Sequence, residues 1–273
     1  MEIKTELKNN NFKFKHSLGQ NFITDTNLLK AIVKDSNIEK TSNVLEIGAG
    51  AGTLTSQICL ETSGHVVSVE VDKNLKPILD KLSFENLEIK FNDILKISPQ
   101  EIKQWFNGQP FCVVANLPYY ISTPIIFYLL ENQFNITSIT VMLQLEVANR
   151  LGAKVGTKDY GALTIILDYL GKVTLTRKVP KTMFTPQPKV DSAIVRIDIT
   201  DKKFDVSYSD FAPFVKKCFV MRRKTLLNNI TKAYDVSKKD VQNVLQTLNL
   251  SLDVRAENLT TENFVSLYKK LFS

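Results

Sequence analysis

Apolar residues along this chain follow two alternating rhythms between about residue 25 and residue 150. Across 25–33 they recur at Leu28, Leu29, Ile32 and Val33, which places them on one helical face. Short segments at 44–47, 66–70, 87–91, 111–115 and 136–143 read as strands, most of them apolar enough to be buried on both sides. Helical stretches are expected from about Thr53 and around 74–82. Pro124 suits the first turn of a further helix capped by Ser122 or Thr123, because proline there sacrifices no intrahelical hydrogen bond. The alternation predicts an α/β fold: a doubly wound, Rossmann-like sheet that takes its ligands at the carboxyl ends of its strands.

The rhythm changes near residue 170. Residues 173–179 and 190–199 read as β segments, separated by the proline-punctuated Phe184-Thr185-Pro186-Gln187-Pro188. Asp201-Lys202-Lys203 reads as a linker. From about 207 to 272 only helical spacing is found, as at Val241, Val244, Leu245 and Leu248. Two domains are therefore expected, an α/β domain over 1–200 and a small all-helical one over 201–273.

Composition narrows the class. With 44% hydrophobic and 23% charged residues in 273, the chain has an ordinary globular balance and can bury a sizeable core. No apolar run approaches the ~20 residues of a membrane span. The first residues, 1–15, are polar and basic, unlike a secretory signal. Cys59, Cys112 and Cys218 are few, odd in number and far apart, which fits buried free thiols in a reducing, cytoplasmic setting. No metal-ligand spacing and no coiled-coil seam is found, so a metal-free monomer is expected. The net charge of +7 sits at the ends. Residues 1–20 contribute +2 and 201–273 contribute +5, while 21–200 balance. A neutral body with basic flanks suits a polyanionic partner.

The chemistry concentrates at the ends of the expected strands. Asn116-Leu117-Pro118-Tyr119 stops the apolar run 111–115 and offers a carboxamide, an unpartnered backbone carbonyl and an aromatic face. That trio fits an exocyclic amino group on a flat ring, although alone the tetrapeptide also fits an ordinary Asn-x-Pro turn. Glu46-Ile47-Gly48-Ala49-Gly50-Ala51-Gly52-Thr53 joins the first strand to a helix, as a loop that lets a ligand approach the backbone. Glu70 ends the second strand, where an acid takes ribose hydroxyls. Asp93 follows the third, placed for an adenine amino group. The tight Gly-x-Gly-x-Gly spacing, and Glu46 beside a cationic amino-acid end, favour S-adenosylmethionine over a nicotinamide dinucleotide.

In order and combination these segments resemble the KsgA-type ribosomal RNA adenine N6-dimethyltransferases and, more distantly, their Erm relatives. The resemblance runs through Leu18-Gly19-Gln20-Asn21-Phe22, the 46–53 loop, Val69-Glu70-Val71-Asp72 and Asn116-Leu117-Pro118-Tyr119-Tyr120-Ile121-Ser122-Thr123. It continues at Tyr160-Gly161, at Phe184-Thr185-Pro186-Gln187-Pro188-Lys189-Val190-Asp191-Ser192 and at Arg222-Arg223-Lys224-Thr225-Leu226. It implies dimethylation of two adjacent adenosines in the 3′-terminal hairpin loop of 16S rRNA within the immature small subunit. Carried onto matching positions, it puts Gln20, Asn21 and Phe22 near the cofactor's methionine end. Gly48 and Gly50 fall in its loop, Glu70 and Val71 at the ribose, Asp93 and Ile94 at adenine. Asn116, Leu117, Pro118 and Tyr119 would hold the target base, Phe184 would close its other face, and Arg222, Arg223 and Lys224 would contact phosphate. Two positions depart from the pattern: Tyr120, where Asn is common, and Leu145, where Lys is expected. Competing readings are a large-subunit methyltransferase of the Erm type, a non-catalytic assembly factor and a nicotinamide oxidoreductase.

Overall fold

Five expected strands become the parallel part of a seven-stranded mixed sheet in the computed structural model, which describes residues 12, 14–15, 18–132, 134–200 and 204–272. A two-residue strand, β1 (Phe22–Ile23), precedes α1 (Thr26–Ser36). Asp25 caps this helix by accepting Leu28 N at 2.8 Å, and Asn37 closes it in the left-handed region at φ 52°. Leu28, Leu29, Ile32 and Val33 are buried, as their spacing requires. There follow β2 (Asn43–Ile47), α2 (Thr53–Glu61) and β3 (Val66–Glu70). The helix expected around 74–82 shortens to a 3₁₀ turn, Lys73–Leu75, and the single turn α3 (Lys76–Leu79).

After β4 (Leu87–Phe91), Ser98 caps α4 (Pro99–Trp105), a helix that periodicity did not announce. Next come β5 (Phe111–Asn116) and α5 (Ser122–Glu131). The capping expectation for α5 is corrected: Ile121 occupies the cap position, no side chain caps the helix, and Pro124 is its third residue. Ser122 Oγ instead donates to the Tyr119 carbonyl at 3.3 Å. The chain continues through β6 (Ile136–Gln144), α6 (Leu145–Leu151), α7 (Ala162–Leu170), β7 (Gly171–Val179), β8 (Phe184–Thr185) and β9 (Ser192–Ile199).

The large sheet has the order β4-β3-β2-β5-β6-β9-β7. Neighbours from β4 to β6 run parallel, and β9 is antiparallel to β6. Val44, Leu45, Val66, Val67, Val113 and Val114 are fully buried, the expected state of central strands covered on both faces. Chain order reverses between β2 and β5, so the loops after these strands diverge and leave a crevice at their carboxyl ends. β1 and β8 form a separate antiparallel pair, with Phe22 opposite Thr185 and Ile23 opposite Phe184.

By its packing the chain divides into two units, residues 1–148 with 174–199 and residues 149–173 with 200–273. The second unit thus takes in α7 besides the chain beyond the expected boundary at 200. Its helices are α7, α8 (Tyr208–Cys218), α9 (Leu226–Ala233), α10 (Lys238–Thr247) and α11 (Thr261–Phe272). Tyr169 of α7 stacks on Phe211 of α8 with ring centroids 4.4 Å apart, and the Tyr160 hydroxyl donates to the Leu259 carbonyl at 2.8 Å. Phe211, Phe214 and Phe264 are wholly buried at its centre. The linker expected at Asp201-Lys202-Lys203 lies outside the described residues, as does His16.

Candidate cofactor and target-base pocket

A pocket opens in the first unit where the loops after β2, β3, β4 and β5 meet residues 18–22. Its floor is the glycine loop. Gly48 N donates to the Val69 carbonyl at 2.8 Å, tying the loop to the next strand. Gly48 sits at φ 85°, a conformation that side chains disfavour, and a Cβ on Gly50 would meet the Phe22 ring at 2.9 Å. Glycine is therefore required at both positions, by backbone conformation at one and by close approach at the other.

Glu70 lines this pocket from the end of β3. Its Oε2 accepts Gly50 N at 2.8 Å and its Oε1 accepts Asp72 N at 2.7 Å. Burial nevertheless pushes its carboxyl above the usual range, the backbone donors offsetting part of that. Val71 is exposed beside it, and Asp93 and Ile94 line the same wall after β4. Asp93 Oδ1 also accepts Leu95 N at 3.1 Å, which fixes the carboxylate at the mouth of a 3₁₀ turn.

Glu46 does not reach the pocket. It is fully buried under the loop, where Oε2 accepts Thr55 Oγ1 at 2.6 Å and Ser68 Oγ at 2.5 Å. Its Oε1 has no hydrogen-bond partner among the described residues. Burial raises its pKa to about 7, more than the two hydroxyls lower it, and the Glu70 charge adds to the rise. The expected role beside a cationic end of the cofactor becomes, in this geometry, a role behind the loop.

The end of β5 forms the opposite wall. Asn116 Nδ2 donates to the Asn21 carbonyl at 3.0 Å. That partner can only accept, so the amide end of the carboxamide is assigned and Oδ1 is left to accept from a ligand. Within the turn, Pro118 O accepts Ile121 N at 3.2 Å. Leu117 O has no such partner among the described residues. Tyr119 lines the pocket with its hydroxyl 2.6 Å from Ser192 Oγ, and Tyr120, 59% exposed, stands at the mouth.

Residues 18–22 close the remaining side. Gln20 lines the pocket, but both ends of its amide are committed within the protein: Nε2 donates to Asp72 Oδ2 at 2.8 Å and Oε1 accepts Lys15 N at 2.7 Å. Asn21 Nδ2 donates to the Gly19 carbonyl at 3.0 Å. Phe22 is buried against the glycine loop with Phe12 and Phe14. Lys15 and Asp72 were not anticipated as partners. An acid two residues beyond Glu70 was visible in the sequence, whereas a partner 57 positions away depends on tertiary packing.

Phe184 does not line the pocket. It is 4% exposed and packed in the core with Ile23, Leu28 and Ile194, away from the pocket lining. It pairs with Ile23 across the β1–β8 ladder. Arg222 has partners within its own unit. In the second unit its Nη2 donates to the Lys158 carbonyl at 2.9 Å and the Tyr160 carbonyl at 3.3 Å, and lies 3.5 Å from Glu257. Nη2 thus ties a loop, while the side chain stays 53% exposed. Arg223 and Lys224 are exposed. His65 is bound through Nδ1 to the Trp105 carbonyl at 3.1 Å, away from the pocket. The three cysteines are buried and free, and among the described residues no acidic, His or Cys group could hold a metal ion. No helix of the described residues is long and apolar enough to cross a membrane.

Comparison with known proteins agrees with this geometry. The model of the family described as ribosomal RNA adenine dimethylase matches residues 11–272. The chain is 44% identical over 259 residues to ribosomal RNA small subunit methyltransferase A of Clostridioides difficile, covering 93% of this chain and 89% of that protein. It is 41% identical to the protein of the same name from Bacillus mycoides, covering 95% and 92%. A dimethyladenosine transferase from Plasmodium falciparum superposes with a TM-score of 0.76 at 28% identity, over 90% of this chain and 95% of that one. The 23S rRNA methyltransferase ErmE does so with a TM-score of 0.70 at 26% identity, over 93% and 100%. The sheet with its pocket at the β2/β5 switch point is thus a class I methyltransferase sheet, and the chain belongs to the ribosomal RNA adenine dimethylase family.

Proposed function

We propose that this protein transfers methyl groups from S-adenosylmethionine to N6 of two adjacent adenosines in the 3′-terminal hairpin loop of 16S rRNA, acting as a cytoplasmic monomer on the immature small subunit. The observation that carries the reading is the pair of free acceptors at the end of β5, Asn116 Oδ1 and Leu117 O, across the pocket from Glu70. Two acceptors of this kind match the two N–H bonds of an adenine amino group. Identity of 44% to a small-subunit methyltransferase supports that RNA over the large-subunit alternative.

The residues present fit the cofactor. Gly48 and Gly50 keep the floor free of side chains, and the oxygens of Glu70, held by two backbone N–H groups, have lone pairs left for ribose hydroxyls. Asp93 and Ile94 suit the adenine edge and face. When bound, S-adenosylmethionine supplies an electrophilic methyl group. The protein's part is positioning. N6 of adenine is a weak nucleophile because its lone pair is delocalised into the ring. Accepting both N–H bonds, Asn116 Oδ1 and Leu117 O favour a pyramidal nitrogen whose lone pair points away from them. Tyr119, fixed through Ser192, offers its ring as the stacking surface for an extruded base. No strong base is needed before attack, since the amine becomes acidic only once methylated. Orientation and charge stabilisation carry the step.

The deciding experiment incubates the purified protein with labelled S-adenosylmethionine and immature small subunits lacking the modification, then digests the RNA. N6,N6-dimethyladenosine in the 3′ hairpin is the expected product. Label only in large-subunit RNA would move the target. No label on either RNA, with cofactor still bound, would make the protein a non-catalytic assembly factor.

A further inference from the structure

Asp72 lies just beyond β3, and its side chain is 1% exposed. Its Oδ1 accepts Lys15 Nζ at 2.7 Å and Asn74 N at 3.1 Å, and its Oδ2 accepts Gln20 Nε2 at 2.8 Å. The Gln20 amide cannot turn over, because its Oε1 already accepts Lys15 N at 2.7 Å. One carboxylate therefore pins the chain at two places. The next residue, Asn21, presents its carbonyl to Asn116 Nδ2 at 3.0 Å.

The consequence for Asn116 is specific. A carboxamide has an accepting end and a donating end of nearly equal size, and only the accepting end suits an adenine amino group. The Asn21 carbonyl selects the correct end by taking the amide. If that carbonyl moved by an ångström or two, the two orientations of Asn116 would approach equal population. The ring of Phe22, packed over Gly50, steadies the same segment on the cofactor side but makes no polar contact with Asn116.

We propose that Asp72 is a positioning residue for methyl transfer: by seating Lys15 and Gln20 it holds the Asn21 carbonyl where it orients the Asn116 carboxamide toward the base. The assignment rests on the methyl-transfer reading given above. It makes Gln20 part of the support, and it links the wall that holds the ribose to the wall that holds the base through charge-assisted hydrogen bonds.

The test compares Asp72→Asn and Lys15→Met. In Asp72→Asn the side chain keeps its shape, but its new NH₂ faces a donor, since one oxygen now serves Lys15, Asn74 and Gln20 in place of two. Lys15 is 40% exposed, so Lys15→Met tests the same latch should Asp72→Asn fail to fold. Each is expected to lower kcat at saturating RNA and cofactor by ~10-fold, with the cofactor dissociation constant changed less than threefold. The double variant should be no worse than either single one, because both break one network. Proton exchange at the Asn116 side-chain amide, followed by NMR in the free protein, should quicken in both variants. Unchanged kcat with unchanged exchange would overturn the assignment. So would a weakened cofactor with kcat intact, which would place Asp72 in cofactor binding instead. The exchange measurement needs no substrate, so failure of the wild type to methylate small-subunit RNA would be recognised separately.

Discussion

The hydroxyl of Tyr119 lies 2.6 Å from Ser192 Oγ, joining the tip of the Asn116–Tyr119 turn to the first residue of β9. Ser192 is fully buried, and burial pushes the Tyr119 phenol above its ordinary pKa. The ring is thus held from its far end and keeps one orientation. Ser192→Ala should raise the KM for RNA by ~3–10-fold, the equivalent of about one hydrogen bond, and leave cofactor affinity unchanged. Steady-state kinetics with varied RNA provides the check. An unaltered KM would mean that packing alone sets the ring.

Asn116→Ala removes the accepting oxygen together with the bond to Asn21. Methyl transfer is expected to fall by ~10²-fold or more, because the acceptor acts mainly in the transition state. Single-turnover rates at saturating RNA and cofactor measure it. Near wild-type turnover would make the carboxamide a structural group.

Glu46 links stability to pH. Its pKa is raised to about 7 in the folded protein against 4.5 in the unfolded chain. Between those values the folded state binds more protons than the unfolded one, so stability declines as pH rises from about 4.5 to 7 and stays lower above. Glu46→Gln, neutral at every pH, should therefore stabilise the cofactor-free protein at pH 8 by up to ~3 kcal/mol and change little at pH 4.5. Denaturant titrations at the two pH values would reveal the difference. An equal effect at both would show that Glu46 is ionised in the fold at all times.

The basic run divides by role. Arg222→Ala should lower the thermal midpoint of unfolding by a few degrees through loss of the Lys158 and Tyr160 carbonyl bonds. It should flatten the log–log salt slope of RNA binding by less than about one, as removal of one half-exposed charge. Arg223→Glu with Lys224→Glu should weaken RNA binding and flatten its log–log salt slope by about one to two, sparing cofactor affinity. Filter binding across a salt series distinguishes them. Equal slopes for all three proteins would remove the run from the RNA interface.

Much of this molecule is legible along the chain because the information is local. Val66–Glu70 and Leu87–Phe91 are strands with the bounds their side-chain pattern predicts, and the first helix buries the four residues its spacing selects. Gly48, Gly50, Glu70, Asp93 and Asn116 could be read because each ends or follows a strand whose end defines the ligand crevice. Helix α7 was not legible, since Ala162–Leu170 is apolar nearly all round and loses the contrast that periodicity requires. Tertiary structure alone decided the rest. Phe184 has the composition of a stacking residue, but pairing with Ile23 turns it into the core. Arg222 looks like its neighbours until two carbonyls more than 60 residues away in sequence claim it. Asp72 acquires its partners only when Lys15 and Gln20 come back to the end of β3. Strand ends follow from side-chain pattern, which the chain carries within a few residues; the use made of a charge depends on which donors and acceptors the fold brings within 3 Å.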